Sequence, residues 1–308
     1  MDRRAWLLLL FLAALWGSSY LFIKIALEDL SPAMVVFGRT ALGALVLAPV
    51  AARRGGIAPL RQFALPVIAL AAIQVAGPFM LIAEGERWVS SSLAGILVAS
   101  TPIFAALVAL GLEGEERVNA WGAAGLAVGI AGVALLLGVD VGGGGMALLG
   151  ALFVLLASLG YAIGSYMVKR GFASVDPVWL VTATMVAGAL FVAPAALATL
   201  PSRAPSQGVW AAMAVLGAGG TGLAFVTFYT LIRREGPAKA AIVTYIAPAF
   251  AVLYGVTLRG ESFGVGTAAG LLLILAGSWL AAEGRPPAPG RMFDSRLSAV
   301  AQTSRRHR

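Results

Sequence analysis

The residues best suited to binding chemistry in this chain lie inside its apolar runs. Trp16, Ser18, Ser19 and Tyr20 occupy the middle of the first run, with apolar residues on both sides. An indole, two hydroxyls and a phenol at hydrocarbon depth cost free energy unless they face protein or a water-filled cavity. Such groups mark pathways more often than anchors, so this stretch predicts a surface that binds a solute.

Polar residues at comparable depth recur in other apolar runs. Ser and Thr commonly bond their own helix carbonyls and aromatic rings commonly just pack, so each residue alone also has a purely structural interpretation. Their shared depth in several helices favours a common cavity. The candidate substrate-binding residues are Trp16, Ser19, Tyr20, Gln74, Ser100, Tyr161, Ser165, Thr221 and Tyr245. Three prolines near mid-membrane free backbone carbonyls and are predicted hinges or simple bends: Pro78, Pro102 and Pro248.

Charged side chains are scarce at depth, and Arg39 is the deepest of them. It lies roughly 10 Å from the end of its predicted helix at 1.5 Å per residue, which is deeper than a comfortable reach to water. Two roles stay open: an ion pair with Glu84 on the next helix, or contact with a substrate carboxylate, which suits a planar guanidinium. At predicted helix ends, Lys24, Glu84, Glu86 and Arg87 are expected to snorkel to water.

The sequence argues against catalytic chemistry. It has no cysteine, its single histidine is His307 in the tail, and it has neither paired aspartates in a span nor a His-Glu-x-x-His motif. We therefore predict no enzyme, no metal site and no cofactor. Glu115 and Glu261 follow a glycine at equivalent places, where a structural role at a helix N-terminus is preferred over transport.

The elements that must position these residues are membrane helices. The chain is 60% hydrophobic and 12% charged, with a mean hydropathy of +0.91, whereas soluble proteins have about 25% charged residues. Its apolar blocks are about 20 residues long, the length of a transmembrane helix, and lack the alternation of barrel strands. The ten predicted spans are 6–25, 32–52, 62–83, 89–111, 119–138, 147–168, 177–199, 209–231, 238–258 and 264–283.

An internal repeat divides these ten spans into two halves. Residues 43–51 return at 188–196 with six identities in nine, and Gly114-Glu115 returns as Gly260-Glu261. Five such matches keep their order at an offset of 145 or 146 residues. Because each half has five spans, the second must enter the membrane upside down, as in many secondary transporters. The predicted fold is therefore all-α integral membrane, with inverted five-helix repeats at 1–140 and 146–284.

Basic residues predict the orientation in the membrane. By this count, 17 of the 22 lysines and arginines lie on the side of the two termini, so both termini are predicted to be cytoplasmic and the protein to lie in the cell (inner) membrane. The net charge of +8 belongs to helix ends and to the tail, so nucleic acid is not expected as a partner. Residues 285–308 are predicted to be a disordered cytoplasmic tail, partly attracted to anionic lipid.

Helices 5 and 10 contain almost no polar residue and instead carry spaced glycines. Gly122, Gly125, Gly129 and Gly132 follow the small-residue spacing of close helix contacts, as do glycines of helix 10. We expect these helices either to brace the two halves or to form a homodimer with a second copy.

Several of these motifs resemble a known family when taken together. They are Leu15-Trp-Gly-Ser-Ser-Tyr, Arg39, Ala83-Glu84 with Val89-Ser90-Ser91 and Pro102, the two Gly-Glu pairs and the duplication. Over positions 5–283 the chain resembles EamA-type members of the drug/metabolite transporter superfamily. The second half departs from the first, with Thr184 at the place of Arg39 and Thr230 at that of Glu84.

The resemblance implies ten helices, alternating access around a central cavity, and export of small metabolites such as amino acids or of toxic compounds. We therefore expect a secondary transporter that exports an amino-acid-like or amphipathic solute and whose partners are that solute and the lipid bilayer. The alternatives are an intramembrane enzyme and a non-transporting membrane scaffold.

Overall fold

The protein is described by a computed structural model that covers residues 1–54, 63–113, 119–139 and 144–283. These residues form helices and connecting turns, with no strand among them. The helices are α1 Arg3–Ala26, α2 Pro32–Ala52, α3 Ala64–Gly85, α4 Ser91–Val98 and Thr101–Glu113, α5 Ala120–Val139, α6 Gly145–Gly171, α7 Pro177–Ala198, α8 Gln207–Glu235, α9 Val243–Arg259 and α10 Val265–Glu283. Among the described residues, nine helices are long and apolar enough to cross a membrane, and α9 is a shorter apolar helix. The predicted all-helical membrane class is confirmed for this part of the chain.

Capping residues fix where several helices begin. Ser31, Ser90, Asp176 and Ser206 each accept a hydrogen bond from a backbone N–H of the first turn that follows. These bonds satisfy donors that have no partner inside the helix, which is why helices start there in the middle of an apolar chain. The observed starts of α2 and α7 coincide with the predicted ones.

One predicted helix starts later than expected. A short helix, Pro237–Ala240, precedes α9, and a turn separates it from Val243. Gly236 has φ of +89°, a conformation that favours glycine, so the chain changes direction there. Tyr245 consequently lies in the first turn of α9. The Ala247 carbonyl, two residues later, packs against Gly17 in the middle of α1, so the expected depth of Tyr245 stays a prediction.

Two helices contain wide π-helical turns at equivalent positions. In α3 the π segment is Ala71–Ala76, and in α8 it is Val215–Leu223. Pro78 follows the first of these segments, where its missing N–H removes an α-helical hydrogen bond. Such segments often occur at functional sites.

The other two predicted hinges differ from each other. Helix α4 is interrupted by a turn at residues 99–100, directly before Pro102. Pro248 instead lies inside α9, which is continuous from Val243 to Arg259. The chain is therefore interrupted beside Pro102 but not at Pro248, and motion at any of these prolines stays a prediction.

The helices pack in a two-fold-like pattern. Helix α2 contacts α7, α3 contacts α6, α1 contacts α8 and α9, and α4 contacts α6 and α9. The π segment of α8 packs on α2 and that of α3 packs on α7. The largest buried apolar cluster joins α1, α2, α3, α7 and α8. Both π segments therefore lie against the central α2 and α7 pair.

Helices α5 and α10 pack against each other within the chain. A Cβ on Gly125 would lie 2.5 Å from the Ala281 nitrogen, and a Cβ on Gly132 would lie 2.8 Å from the Ile274 nitrogen. These distances show that the glycines allow the two backbones to approach closely. Helices α5 and α10 thus connect the two halves of the chain, which is one of the two arrangements expected from the sequence. The glycine faces have a partner inside the chain, and a homodimer through other faces of α5 and α10 stays a prediction.

Contacts between helix ends define two faces of the molecule. On the face where α1 begins, the N-terminal amine lies 3.8 Å from Glu235 Oε2 and Arg54 lies 3.7 Å from Asp176. We call it the terminal face. On the opposite face, Ser31 and Thr199 hydroxyls are 2.7 Å apart and Asp29 accepts a hydrogen bond from the Ser206 N–H. We call this the distal face.

Three groups of predicted features lie outside the described residues: Glu115 with the first Gly-Glu pair, Asp140 in the joint between the halves, and the tail 285–308.

Candidate functional site

A buried arginine lies where α2, α3 and α8 meet. The Arg39 side chain projects from α2, and only 8% of the residue is exposed. Its Nε donates a hydrogen bond of 3.0 Å to the Thr221 hydroxyl, which belongs to the π segment of α8. Its guanidinium carbon lies 3.8 Å from the centre of the Phe79 ring on α3. A hydroxyl and an aromatic face thus hold the cation, and neither carries a formal charge.

Two tyrosines complete the surroundings of this arginine. Tyr20 of α1 and Tyr161 of α6 lie within electrostatic range of the guanidinium, and the Tyr161 ring meets Phe79 edge to face at 6.5 Å. Four of the residues predicted from sequence, Tyr20, Arg39, Tyr161 and Thr221, therefore surround one point in the structure. We call these four, with Phe79, the arginine site.

The expected ion pair between Arg39 and Glu84 is wrong. Glu84 accepts a hydrogen bond of 3.0 Å from Arg87 at the partly exposed distal end of α3. The described residues offer no carboxylate that forms an ion pair with Arg39. The physical reason is position: Glu84 lies on the outer side of the last turn, where an arginine three residues later reaches it. The carboxylate within electrostatic range of Arg39 is instead Glu86.

Glu86 and Lys24 do not snorkel to water as expected. Glu86 is the first residue beyond α3 and is 0% exposed. Neither of its carboxylate oxygens has a hydrogen-bond partner among the described residues. The Lys24 amine is turned inward, where it donates to the carbonyl oxygens of Glu86 and, at 2.8 Å, of Val89. Burial raises the pKa of Glu86 well above its ordinary range, and Lys24 opposes that shift.

A set of hydrogen bonds and one ion pair joins helix ends on the distal face. The Glu261 carboxylate accepts four hydrogen bonds of 2.5–2.8 Å from the backbone and hydroxyl groups of Ser91 and Ser92, at the N-terminus of α4. Arg259 pairs with Glu28 at 2.5 Å. Together with the Lys24 contacts, these bonds tie α1, α4 and the end of α9 together. We call this set the distal gate.

Glu261 has the helix N-terminal position that its sequence context predicted. Burial alone would raise the pKa of its carboxyl, but the hydrogen bonds from Ser92 and Ser91 outweigh burial and lower the pKa below its ordinary value. The partner helix belongs to the first half of the chain and Glu261 to the second, so one carboxylate links both halves at the distal gate.

The terminal face has a cavity, and the distal face has a smaller one of about 130 Å³ beside Trp88, Ser92 and Ser262. The cavity on the terminal face has a volume of about 430 Å³ and lies between the ends of α2, α7 and α8. The lining residues are Arg54, Asp176, Pro177, Tyr229, Ile232 and Arg233. Tyr229 stacks on Phe225 at 6.2 Å, and Trp16 meets Phe225 and Phe228 at 6.1 and 5.2 Å. An aromatic wall therefore runs from the cavity to the predicted residue Trp16.

Most of the predicted hydroxyl residues have local partners. Ser19 donates to Leu15, Ser100 to Leu97 and Ser165 to Tyr161, in each case to a carbonyl three or four residues earlier. Ser100 is buried and Ser165 is exposed. These bonds satisfy the hydroxyl protons within the same helix, which is the structural interpretation of such residues.

The other two predicted polar side chains, Gln74 and Tyr245, lie on α3 and α9. Gln74 is in the π segment of α3, and its side chain packs over Gly164 of α6. Tyr245 lies in the first turn of α9, two residues before Ala247, whose carbonyl packs against Gly17 of α1. Of the nine predicted substrate-binding residues, Tyr20, Tyr161 and Thr221 belong to the arginine site, and a surface shared by all nine stays a prediction.

Sequence reasoning missed three residues that matter here: Phe79, Glu86 and Tyr229. A phenylalanine in an apolar helix carries no distinguishing signal. For Glu86 a signal did exist in Lys24, the single cation within the apolar residues 5–27, which needs oxygen partners from a neighbouring element. In the part of the chain that the structure describes, no group of three or more His, Asp or Glu residues is placed to hold a metal ion.

Comparison with known proteins gives consistent matches along the chain. The EamA-like transporter family matches residues 4–138 and again residues 148–282. The uncharacterized inner membrane transporter YedA of Escherichia coli (strain K12) is 30% identical over 252 residues, which cover 80% of each chain. The uncharacterized transporter YoaV of Bacillus subtilis (strain 168) is 24% identical over 271 residues, 86% of this chain and 92% of that one.

Among the solved structures that match this chain is a protein crystal structure that shares the fold. It superimposes with a TM-score of 0.65 over 91% of this chain and 97% of that one, at 23% sequence identity.

Proposed function

The chain belongs to the EamA-like transporter family, and from that premise we propose that it is a secondary transporter that exports a small solute bearing a carboxylate by alternating access. It is a multi-pass membrane protein, as its apolar helices and its relatives indicate. Export, the class of solute and the mechanism are the proposal.

The observation that carries the proposal is the state of Arg39. A guanidinium inside a membrane helix is costly unless it is compensated, and intramembrane charges usually face a partner or a pathway. Here its bonded contacts are the neutral Thr221 hydroxyl and the Phe79 ring. A carboxylate of the solute would supply the missing countercharge through the two-pronged contact for which guanidinium is suited.

The surroundings of the arginine support an amino-acid-like solute with an apolar part. Phe79, Tyr20 and Tyr161 present aromatic surface and hydroxyls beside the cation. Ligand sites combine such apolar walls with a few fixed polar groups. The aromatic wall of Trp16, Phe225 and Tyr229 would extend the same character toward the terminal face.

The closed distal gate and the cavity on the terminal face support alternating access. In this state a solute would enter from the terminal face and would be stopped at the distal gate. Release on the distal side requires the Glu261 and Lys24 contacts to separate. We propose that the terminal face is cytoplasmic and that the protein lies in the cell membrane, on the strength of the distribution of basic residues.

We also propose that the two halves, 1–140 and 146–284, are inverted repeats. Two observations support this: π segments at equivalent places in α3 and α8, and pairs of contacts that exchange when the halves are exchanged, such as α3 with α6 and α8 with α1. Transporters built from such repeats bind their solutes near the interface between them.

The test is solute binding and transport by purified protein in proteoliposomes. The probes are three radiolabelled molecules of matched apolar size: leucine, its amide and its amino alcohol. We expect roughly tenfold preference for leucine over the two analogues that lack a carboxylate, and we expect Arg39→Gln to erase this preference. Arg87→Gln, which removes an arginine from the distal surface, is the matched control. A folded Arg39→Gln protein that keeps the full preference would overturn the proposal.

A further inference from the structure

The distal gate contains a carboxylate that the transport scheme above leaves without a role. Glu86 is fully buried, and its two carboxylate oxygens meet no hydrogen-bond donor among the described residues. A buried charge without hydrogen bonds is far more costly than a buried neutral acid. Buried polar groups are nearly always paired, so an orphaned carboxylate calls for an explanation.

The nearby cation does not supply the missing partner. Lys24 of α1 uses its amine on main-chain carbonyl oxygens, those of Glu86 itself and of Val89. Its amine thus fastens α1 to the turn between α3 and α4 and leaves the Glu86 carboxylate unbonded. If the carboxylate were ionised in this state, it would compete for the same amine and loosen this connection.

Glu86 is surrounded by charged and titratable groups from three other parts of the chain. They are Lys24 and Tyr20 from α1, Arg39 from α2, and Glu261 from the turn after α9. The two cations favour an ionised Glu86, whereas the Glu261 carboxylate and the loss of water disfavour it. Tyrosine hydroxyls titrate near pH 10, above the range in which carboxyl groups usually change charge.

We propose that Glu86 is a proton-binding site of the distal gate, filled from the distal solution whenever the gate closes and emptied when it opens. On closure, one carboxylate oxygen forms an O–H bond with a proton from distal water, and Lys24 turns to the two carbonyls. On opening, water enters, the proton returns to it, and Lys24 becomes free to pair with the ionised carboxylate. The ligand is a proton, and its chemical partner in the open state is Lys24.

The inference rests on the proposed alternating access and adds a dependence on pH to it. Closure needs a protonated Glu86, so raising the distal pH favours the open gate. Glu261 must instead be ionised, because its carboxylate accepts the hydrogen bonds from Ser91 and Ser92. We call these hydrogen bonds the Glu261 clamp. The gate therefore closes best between the lowered pKa of Glu261 and the raised pKa of Glu86.

The decisive measurement is infrared spectroscopy of the purified protein in ether-linked lipid, which has no ester carbonyl band. A neutral carboxylic acid then shows a carbonyl band separate from those of carboxylates. We expect that band at about pH 7, where exposed carboxyl groups are ionised. Glu86→Gln should remove it. Glu84→Gln, which alters a partly exposed glutamate two residues earlier, should leave it unchanged. This readout needs no transported solute, so it is separate from the test of the proposed function.

A second variant keeps the test decisive if Glu86→Gln fails to fold. Lys24→Met removes the cation that favours ionisation, so the band should persist to a higher pH than in the wild type, by about one pH unit or more. Absence of the band in folded wild-type protein at about pH 7 would overturn the proposal. A band that is equally strong in folded Glu86→Gln, or one that Lys24→Met shifts to lower pH, would overturn it as well.

Discussion

The Glu261 clamp is the strongest single contact of the distal gate, and Glu261→Gln tests it. The carboxylate accepts four hydrogen bonds, two from Ser91 and two from Ser92. A glutamine keeps one oxygen, which still accepts from one serine, but it turns an NH₂ group toward the other. The backbone N–H of that serine then has no acceptor, and the remaining bonds lose their charge assistance.

The magnitude follows from these losses. A hydrogen bond to a charged group contributes about 1.5–3 kcal/mol and a neutral one about 1 kcal/mol, so one lost bond and three weakened ones total at least about 3 kcal/mol. The carboxylate is only half-buried, and water compensates part of the loss. We therefore expect the closed gate to lose about 2 kcal/mol, which corresponds to roughly a 30-fold shift toward the open gate.

The assay is hydrogen–deuterium exchange of the backbone amides at the start of α4, measured in lipid nanodiscs. The Ser91 and Ser92 amides are themselves donors to Glu261, so their exchange reports the clamp directly. We expect about 30-fold faster exchange in Glu261→Gln. Glu28→Gln breaks only the exposed pair with Arg259 and should change the rate by less than about threefold.

Lowering the pH should open the distal gate of the wild-type protein, as Glu261→Gln is expected to do. Because the pKa of Glu261 is lowered from its ordinary value of 4.5, the clamp is fully present above that pH and is lost as pH falls through the lowered pKa. Unchanged exchange at Ser91 and Ser92 in folded Glu261→Gln would refute the reasoning, since it would mean that other contacts keep the gate closed.

Three further predictions concern stability, each measured as the unfolding temperature of purified protein. Gly277→Ala should unfold at a clearly lower temperature, because α5 backbone lies 2.5 Å from the new Cβ, whereas Gly111→Ala, with nothing within 4 Å, should not. Asp176→Ala should cost about 1 kcal/mol as a lost N-cap, and Asp176→Asn almost nothing. Phe79→Leu should cost about 1–2 kcal/mol of unfolding free energy, because it removes the aromatic ring that covers Arg39. Equal unfolding temperatures for the two glycine variants, or for the two Asp176 variants, would contradict the corresponding contact, as would an unchanged unfolding temperature of Phe79→Leu.

The helices were predictable because hydropathy and capping signals agree along the chain. Ser31 before Pro32 and Asp176 before Pro177 mark helix starts that the structure reproduces. The start of α9 was not predictable in the same way, because Pro237 and Lys239 continue a run that composition alone cannot divide. The turn at Gly236, the short helix and a second turn at residues 241–242 all precede Val243, where α9 begins.

The arginine site was predictable only in part. Depth in the membrane selected Arg39, Tyr20, Tyr161 and Thr221, since polarity at mid-helix is visible in a sequence. Depth does not tell which way a side chain turns, and only two residues at the end of α3 separate the partly exposed Glu84 from the buried Glu86. The turn after the helix decides which of the two glutamates faces the interior. Such turns are too short to leave a periodic pattern in the sequence.

The paired π segments give α3 and α8 a way to rotate without breaking. Each π-helical turn holds more residues than an α-helical turn. If a π segment returned to α-helical geometry, the register would shift by one residue and the part of the helix after it would rotate by about 100°, the angle between successive residues. In α3 that part begins at Gly77 and carries Phe79, so the swing would lift the ring from the guanidinium of Arg39. In α8 the π segment itself holds Thr221, whose hydroxyl accepts the hydrogen bond from the same guanidinium group. Rotation of either helix would therefore remove one of the two contacts that cover the Arg39 guanidinium.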